Sequence, residues 1–140
     1  MRQILLFALF AASLTLLSGC ALSKTKEDTA EDMTDKAAYR KISAEEAYEM
    51  MASQEVVVVD VRTREEYDGG HIENAVLVPN ESIGSEMPAT LPNKEATLLI
   101  YCRSGRRSKD AAQKLLALGY QNVYDFGDVI DWPYELVKEG

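Results

Sequence analysis

Leu98-Leu99-Ile100-Tyr101-Cys102-Arg103-Ser104-Gly105-Arg106-Arg107-Ser108 decides the fold. The apolar run reads as a buried strand, and a cysteine stands at its C-terminal end. A short loop of small and basic residues follows, then a helical pattern from Ser108 to about Leu118, stopped by Gly119 as the residue after the cap. That order places a thiol on the floor of a cradle of backbone N–H groups, with the partial positive charge of a helix N-terminus beside it. Successive loop amides turned to one point form an anion-binding nest. An anion is favoured there, and the thiolate is the nucleophilic form of cysteine.

The charge pattern points the same way. The 140-residue chain carries 15 basic and 23 acidic side chains, a formal charge of -8. Four of those fifteen basic residues, Arg103, Arg106, Arg107 and Lys109, stand in the eight positions from Cys102 to Lys109. Between Ile42 and Tyr101 there are three, Arg62, Arg64 and Lys94. A local basic patch on an acidic protein suits a small anion. Nucleic acid would need an extended basic surface and is not an expected partner.

Working outward, Val56-Val57-Val58-Val59-Asp60-Val61 shows no alternation and reads as a strand buried on both faces, as in a parallel sheet. Ala75-Val76-Leu77-Val78 is a third candidate strand and Val123-Tyr124-Asp125 a last short one. Strands alternating with helical segments predict an α/β domain, whose site lies at the C-terminal ends of the strands, where Cys102 stands. Two capping boxes open helices, Ser43 with Glu46 and Thr63 with Glu66. Gly69-Gly70 ends the second of them. Asp60 and Arg62, just past a strand end, are placed to pin their loop by mutual or backbone hydrogen bonds. His71 is the sole histidine. It reads as a turn-holding residue rather than a base for Cys102, and a single histidine speaks against a histidine metal site. No metal and no cofactor is expected, since phosphate-loop and dinucleotide fingerprints do not occur. A short helix is expected around Ser82 to Met87, and another starting at Asp131-Trp132-Pro133-Tyr134, with Trp132 in the core or at its edge.

The first residues have a different character. Arg2 precedes an apolar run from Ile4 to Leu17, and Leu17-Ser18-Gly19-Cys20 follows. A charged start, a short apolar core and a small-residue end make a secretory signal. Its ending resembles the lipobox of bacterial lipoproteins. That likeness implies a signal peptide over residues 1–19, cleaved before Cys20, and a diacylglycerol on the Cys20 sulfur. Cys102 is then the one free thiol of the mature protein, because there are two cysteines in all. Residues 20–38, rich in Lys, Glu, Asp, Thr and Ala, read as a flexible charged tether, and residues 39–140 as one domain. The expected location is outside the cytoplasm, anchored by lipid to the membrane of a bacterial envelope.

From about Ile42 to Glu135 the chain resembles the rhodanese (sulfurtransferase) family. Three motifs carry the likeness. One is Asp60-Val61-Arg62 with the trailing Glu66-Tyr67-Asp68-Gly69-Gly70-His71-Ile72-Glu73-Asn74-Ala75. The second is Tyr101-Cys102-Arg103-Ser104-Gly105-Arg106-Arg107-Ser108. The third is Tyr124-Asp125-Phe126-Gly127 with Trp132, where Asp128 replaces the family's usual second glycine. The resemblance implies a five-stranded parallel sheet flanked by helices on both faces. It implies that Cys102 takes a sulfane sulfur from thiosulfate or a related donor and passes it, as a persulfide, to cyanide or a thiol. The loop from Arg103 through Ser104, Gly105, Arg106 and Arg107 to Ser108 would bind the anionic donor, with Asp60, Arg62 and His71 in support. The implied partners are a small anionic donor, a thiophilic acceptor and, through the lipid, a membrane; the chain is expected to be a monomer. A related phosphatase or arsenate reductase is the rival enzyme. Its Cys-x5-Arg loop is one residue longer, and here the residue six after Cys102 is Ser108, so the loop is the shorter, sulfur-sized one. A persulfide carrier or binding module without turnover is the other alternative. A general thiol oxidoreductase lacks support, because no Cys-x-x-Cys occurs.

Overall fold

The computed structural model describes residues 37–138. The expected signal peptide, Cys20 and most of the expected tether therefore lie outside the described residues. Five parallel strands form one sheet: β1 (Arg40–Lys41), β2 (Val57–Asp60), β3 (Val76–Leu77), β4 (Thr97–Cys102) and β5 (Asn122–Asp128). Their order across the sheet is β1-β5-β4-β2-β3, so the chain winds one way from β2 to β3 and the other way from β4 to β5. The reversal falls between β2 and β4, which pair from Val57↔Leu98 to Asp60↔Tyr101. A crevice outside the strand ends at such a reversal is where open α/β sheets bind ligands.

Three α-helices cover the two faces: α1 (Ala44–Ser53), α2 (Arg64–Asp68) and α3 (Arg106–Ala117). The alternation hidden in the apolar runs becomes visible in what each side chain touches. Val59, Leu98, Ile100 and Cys102 pack with Ala111, Ala112 and Leu115 of α3. Val58, Leu99 and Tyr101 pack with Ala47 of α1 and Tyr67 of α2. The central strands are buried on both faces, hence their unbroken apolar sequence. Leu98, Leu99 and Ile100 are fully buried, each contributing roughly 1.5–3 kcal/mol by removal from water.

Both capping boxes are present. Ser43 Oγ accepts the Glu46 N–H at 3.1 Å while Glu46 Oε2 accepts the Ser43 N–H at 2.8 Å. The reciprocal distances at Thr63 and Glu66 are 3.3 and 3.1 Å. These bonds serve the helix-end N–H groups that no turn can satisfy.

Several expectations need correction. The helix expected over Ser82 to Met87 is instead a single 3-10 turn, Asn80–Ser82, held by Asn80 Nδ2 to Asp110 Oδ2 at 2.9 Å and by Lys114 Nζ to Asn80 Oδ1 at 3.2 Å. No helix starts at Asp131; a turn forms instead, in which Asp128 Oδ1 accepts the Asp131 N–H at 3.2 Å. Asp128 thus caps that turn in place of the family's glycine. Trp132 is buried, against Phe126 with ring centroids 5.5 Å apart. The helix after Cys102 begins at Arg106, two residues before the expected Ser108. The two-residue strand β1, paired to Tyr124 and Asp125, had no sequence signal of its own.

Candidate active site

Cys102 ends β4, a central strand, and α3 starts four residues after it, at Arg106. The loop between turns through Gly105, whose φ of 85° is a left-handed conformation that glycine adopts without cost. This turn brings the Gly105 N–H to 3.0 Å from Cys102 Sγ. Ser108, fully buried in the first turn of α3, puts its Oγ 3.6 Å from the sulfur, 3.1 Å from the Gly105 carbonyl and 3.4 Å from the Gly127 carbonyl. The serine hydroxyl has one proton for these three neighbours. With negative charge on sulfur, the proton is best directed there. The first-turn amides of α3, which lack helical acceptors, add to the same positive end.

Gly127 reaches the floor of this loop through a β-bulge. Ile100 pairs with Asp125 but Tyr101 with Gly127, so Phe126 is an extra residue in β5. The bulge lets Phe126 pack in the core while the next carbonyl turns to Ser108. Gly127 has φ 92°, a left-handed conformation that strains any side chain, while the Lys41 Nζ that a Cβ would meet is the movable end of a flexible side chain.

Beneath the site lies a buried polar knot. Asp60 accepts Arg62 Nε at 3.0 Å and Arg62 Nη2 at 2.6 Å, and its Oδ2 accepts the Tyr101 hydroxyl at 2.7 Å. Tyr101 Oη in turn accepts the Ile72 N–H at 3.1 Å, and Arg62 Nη2 donates to the Gly70 carbonyl at 2.8 Å. Burial, then the Asp60 charge, drives the Tyr101 phenol far above its ordinary value. Burial alone would lower Arg62, but the Asp60 hydrogen bonds and charge outweigh it and hold the guanidinium charged. The knot joins β2, β4 and the 70–72 turn, which is the pinning expected of Asp60 and Arg62.

His71 is buried in that turn, stacked on Tyr67 at 3.6 Å, with Nδ1 2.9 Å from the Tyr67 carbonyl. A carbonyl only accepts, so Nδ1 carries the proton. The His71 main chain exchanges two hydrogen bonds with Val137, at 2.9 and 2.8 Å. The Cys102 sulfur accepts the Gly105 N–H, and its thiol donates to Ser108 Oγ, whose own proton serves the Gly105 and Gly127 carbonyls; His71 is not among these partners.

The loop arginines separate. Arg103 and Arg106 are exposed, without a hydrogen-bond or ion-pair partner among the described residues; Ser104 is exposed too. Arg107 instead reaches α2, donating from Nη1 to Glu66 Oε2 at 2.7 Å and from Nη2 to Glu66 Oε1 at 2.8 Å. This fork, with the Thr63 cap bond, holds the Glu66 carboxyl down at about 2. Sequence reasoning placed Glu66 in its capping box and in the motif trailing Asp60-Val61-Arg62, without a partner in the cysteine loop. The pairing spans 41 residues and leaves no local spacing signal. Tyr101 was likewise read as plain strand, though its place beside Cys102 on the opposite face marks it for the knot.

Comparison with known proteins fits this geometry. A family model for the rhodanese-like domain matches residues 43–128. The chain belongs to the rhodanese-like domain family. The Escherichia coli rhodanese solved with anions is 32% identical and superposes with a TM-score of 0.55, covering 61% of this chain and 100% of that one. A human single-domain sulfurtransferase is 28% identical with a TM-score of 0.59, covering 66% of this chain and 93% of that one. The tRNA uridine(34) hydroxylase of Photorhabdus laumondii is 30% identical over 104 residues, 71% of this chain but only 30% of that protein. The rhodanese-like domain thus spans less than a third of the length of the curated relatives it matches.

Proposed function

We propose that the domain is a sulfurtransferase that carries sulfur on Cys102. The observation that carries this reading is the cradle on Cys102 Sγ, the Gly105 N–H at 3.0 Å and the Ser108 hydroxyl at 3.6 Å, at the start of α3. Those groups suit a Cys102 thiolate, and once a second sulfur is attached the negative charge lies on that outer sulfur, beside the same positive helix start. The Cys102 thiolate attacks the outer sulfur of thiosulfate, a sulfur–sulfur bond forms to Cys102, and the bond inside thiosulfate breaks. Sulfite leaves with that electron pair. Cyanide or a thiolate then attacks the terminal sulfur of the persulfide, and the Cys102 thiolate departs. The covalent intermediate makes the kinetics ping-pong. Arg103 and Arg106 are exposed cations of the loop suited to an anionic donor. Asp60, Arg62 and His71 support the site without touching the sulfur. The likeness to a human single-domain sulfurtransferase supports the reaction class.

In the same reading the chain is made as a lipoprotein. Residues 1–19 are removed, Cys20 carries the lipid, residues 20–38 form the tether, and a monomeric domain of residues 39–140 works on the outer side of a bacterial membrane. Fatty-acid labelling of Cys20 tests this part, and its absence removes it.

Intact mass tests the chemistry. Thiosulfate should add one sulfur atom to the chain, placed on Cys102 by peptide mass, and cyanide should remove it as thiocyanate. A sulfur gained from polysulfide but not from thiosulfate would assign a different donor. A sulfur gained but released only to a protein acceptor would make the domain a persulfide carrier.

A further inference from the structure

Two of the three loop arginines lack a carboxylate and the third does not. Arg62, Arg64 and Arg107 each lie against an acid, at 2.6, 3.7 and 2.7 Å. Arg103 and Arg106 have no such partner among the described residues, although the chain holds 23 acidic side chains. Nearby Asp110 feels the Arg106 charge, but its direct partners are Lys114 and Asn80, at 2.8 and 2.9 Å. Glu66 therefore divides the loop's charge. Its two oxygens close the guanidinium fork of Arg107, while Oε2 also accepts the Thr63 N–H at 3.1 Å. Arg107 is thereby fixed to the start of α2, with both terminal nitrogens engaged. Its side chain is 21% exposed and that of Glu66 26%, so the pair is partly shielded and weakly screened.

We propose that Glu66 is a specificity-setting residue of the cysteine loop: by neutralising Arg107 and holding it against α2, it leaves Arg103 and Arg106 as the cations that an anionic donor meets. Two free positive charges match a dianion such as thiosulfate. A third would bind the donor, the departing sulfite and unreactive dianions more tightly alike, which lowers KM without raising the rate of the chemical step. Glu66 touches no reacting atom and acts through Arg107. The proposal rests on the reading of the loop as a site for anionic donors.

The test compares two alkylating reagents of nearly equal size, iodoacetate and iodoacetamide, on the full-length chain. Both form the same bond to the Cys102 sulfur and release iodide, and one carries a negative charge. Peptide mass separates Cys102 from Cys20. The ratio of the two rates reports the potential at the loop and needs no sulfur transfer. Glu66→Gln keeps the capping bond, because glutamine serves that position equally, and removes the charge. It should raise the iodoacetate-to-iodoacetamide ratio about five-fold, the size of one partly screened unit charge several ångströms away. Arg107→Gln should lower the ratio by a similar factor, since it leaves Glu66 uncompensated. The double variant Glu66→Gln/Arg107→Gln deletes a neutral pair and should return within about two-fold of the parent. A double variant as low as Arg107→Gln would overturn the proposal, because Arg107 itself would then be drawing the anion. An unchanged ratio in Glu66→Gln would also overturn it. A cooperative melting transition well above the assay temperature in every variant separates charge from folding. Failure to accept sulfur from thiosulfate would instead count against the proposed reaction and leave the alkylation result standing.

Discussion

Tyr101 and Cys102 are neighbours on one strand, and they face opposite ways. Tyr101 enters the face covered by α1 and α2, where its hydroxyl is saturated by Asp60 and Ile72. Cys102 enters the face covered by α3, where its sulfur meets one amide and one rotatable hydroxyl. Both side chains are fully buried. The first environment is closed by short charge-assisted bonds and has nothing left to give. The second keeps donors that serve an anion and a hydroxyl that can turn. A buried polar group is structural when its partners are used up, and reactive when they gain by a change of charge.

This contrast can be broken at either residue. The largest expected effect is Cys102→Ser, which should abolish persulfide formation, a loss beyond a thousand-fold in cyanide-dependent thiocyanate release, with the urea midpoint little moved. Asp60→Ala should do the reverse. It strands the Arg62 guanidinium in the interior, and breaking a buried pair costs about 3–5 kcal/mol, to be read from urea unfolding. A well-folded Asp60→Ala with low activity would erase the distinction. Tyr101→Phe is milder: it removes one hydroxyl from the knot and should cost about 1–3 kcal/mol, since the Asp60 oxygen and the Ile72 amide each lose a partner.

Ser108→Ala sharpens the comparison on the other side. Loss of one hydroxyl beside the sulfur should slow sulfur uptake by about a hundred-fold, the lower end of the range for a single donor to an anion, and should cost about 1–3 kcal/mol of stability, because the buried hydroxyl also serves the Gly105 and Gly127 carbonyls. The smallest effect is one of pH. Glu66 titrates at about 2 in the folded chain against an ordinary 4.5. Its folded value is depressed, so its contribution is complete above 4.5 and is lost as pH falls from there toward 2. With solvent screening this amounts to about 1 kcal/mol. Acid titration of the melting temperature should show that loss in the parent and a flatter curve in Glu66→Gln.

What the sequence revealed of this contrast follows from how local each feature is. The strand, the cysteine and the glycine turn are adjacent in the chain, and so are the Asp60 and Arg62 of the knot; all could be read directly. Two capping boxes were legible for the same reason, being four-residue patterns. The assignment of Tyr101 to one node and Arg107 to another was not legible. Each depends on β2 lying beside β4, which brings together residues 41 apart. The bulge at Phe126 was hidden because an extra residue shows only against a partner strand. The helices expected at Ser82 and Asp131 failed because side chains such as Asn80 and Asp128 satisfied the backbone or their neighbours more cheaply than a helix would.

The zero exposure of Cys102 has a meaning in time. A sulfur with no surface meets a reagent only during the fraction of each second in which the atoms covering it stand aside. An observed rate is that fraction multiplied by the rate of the open form. Absolute alkylation rates therefore clock the opening, while the ratio of two reagents cancels it. The same fraction sets the ceiling on turnover and the pace at which oxidants destroy the thiol. A larger open fraction would raise both together.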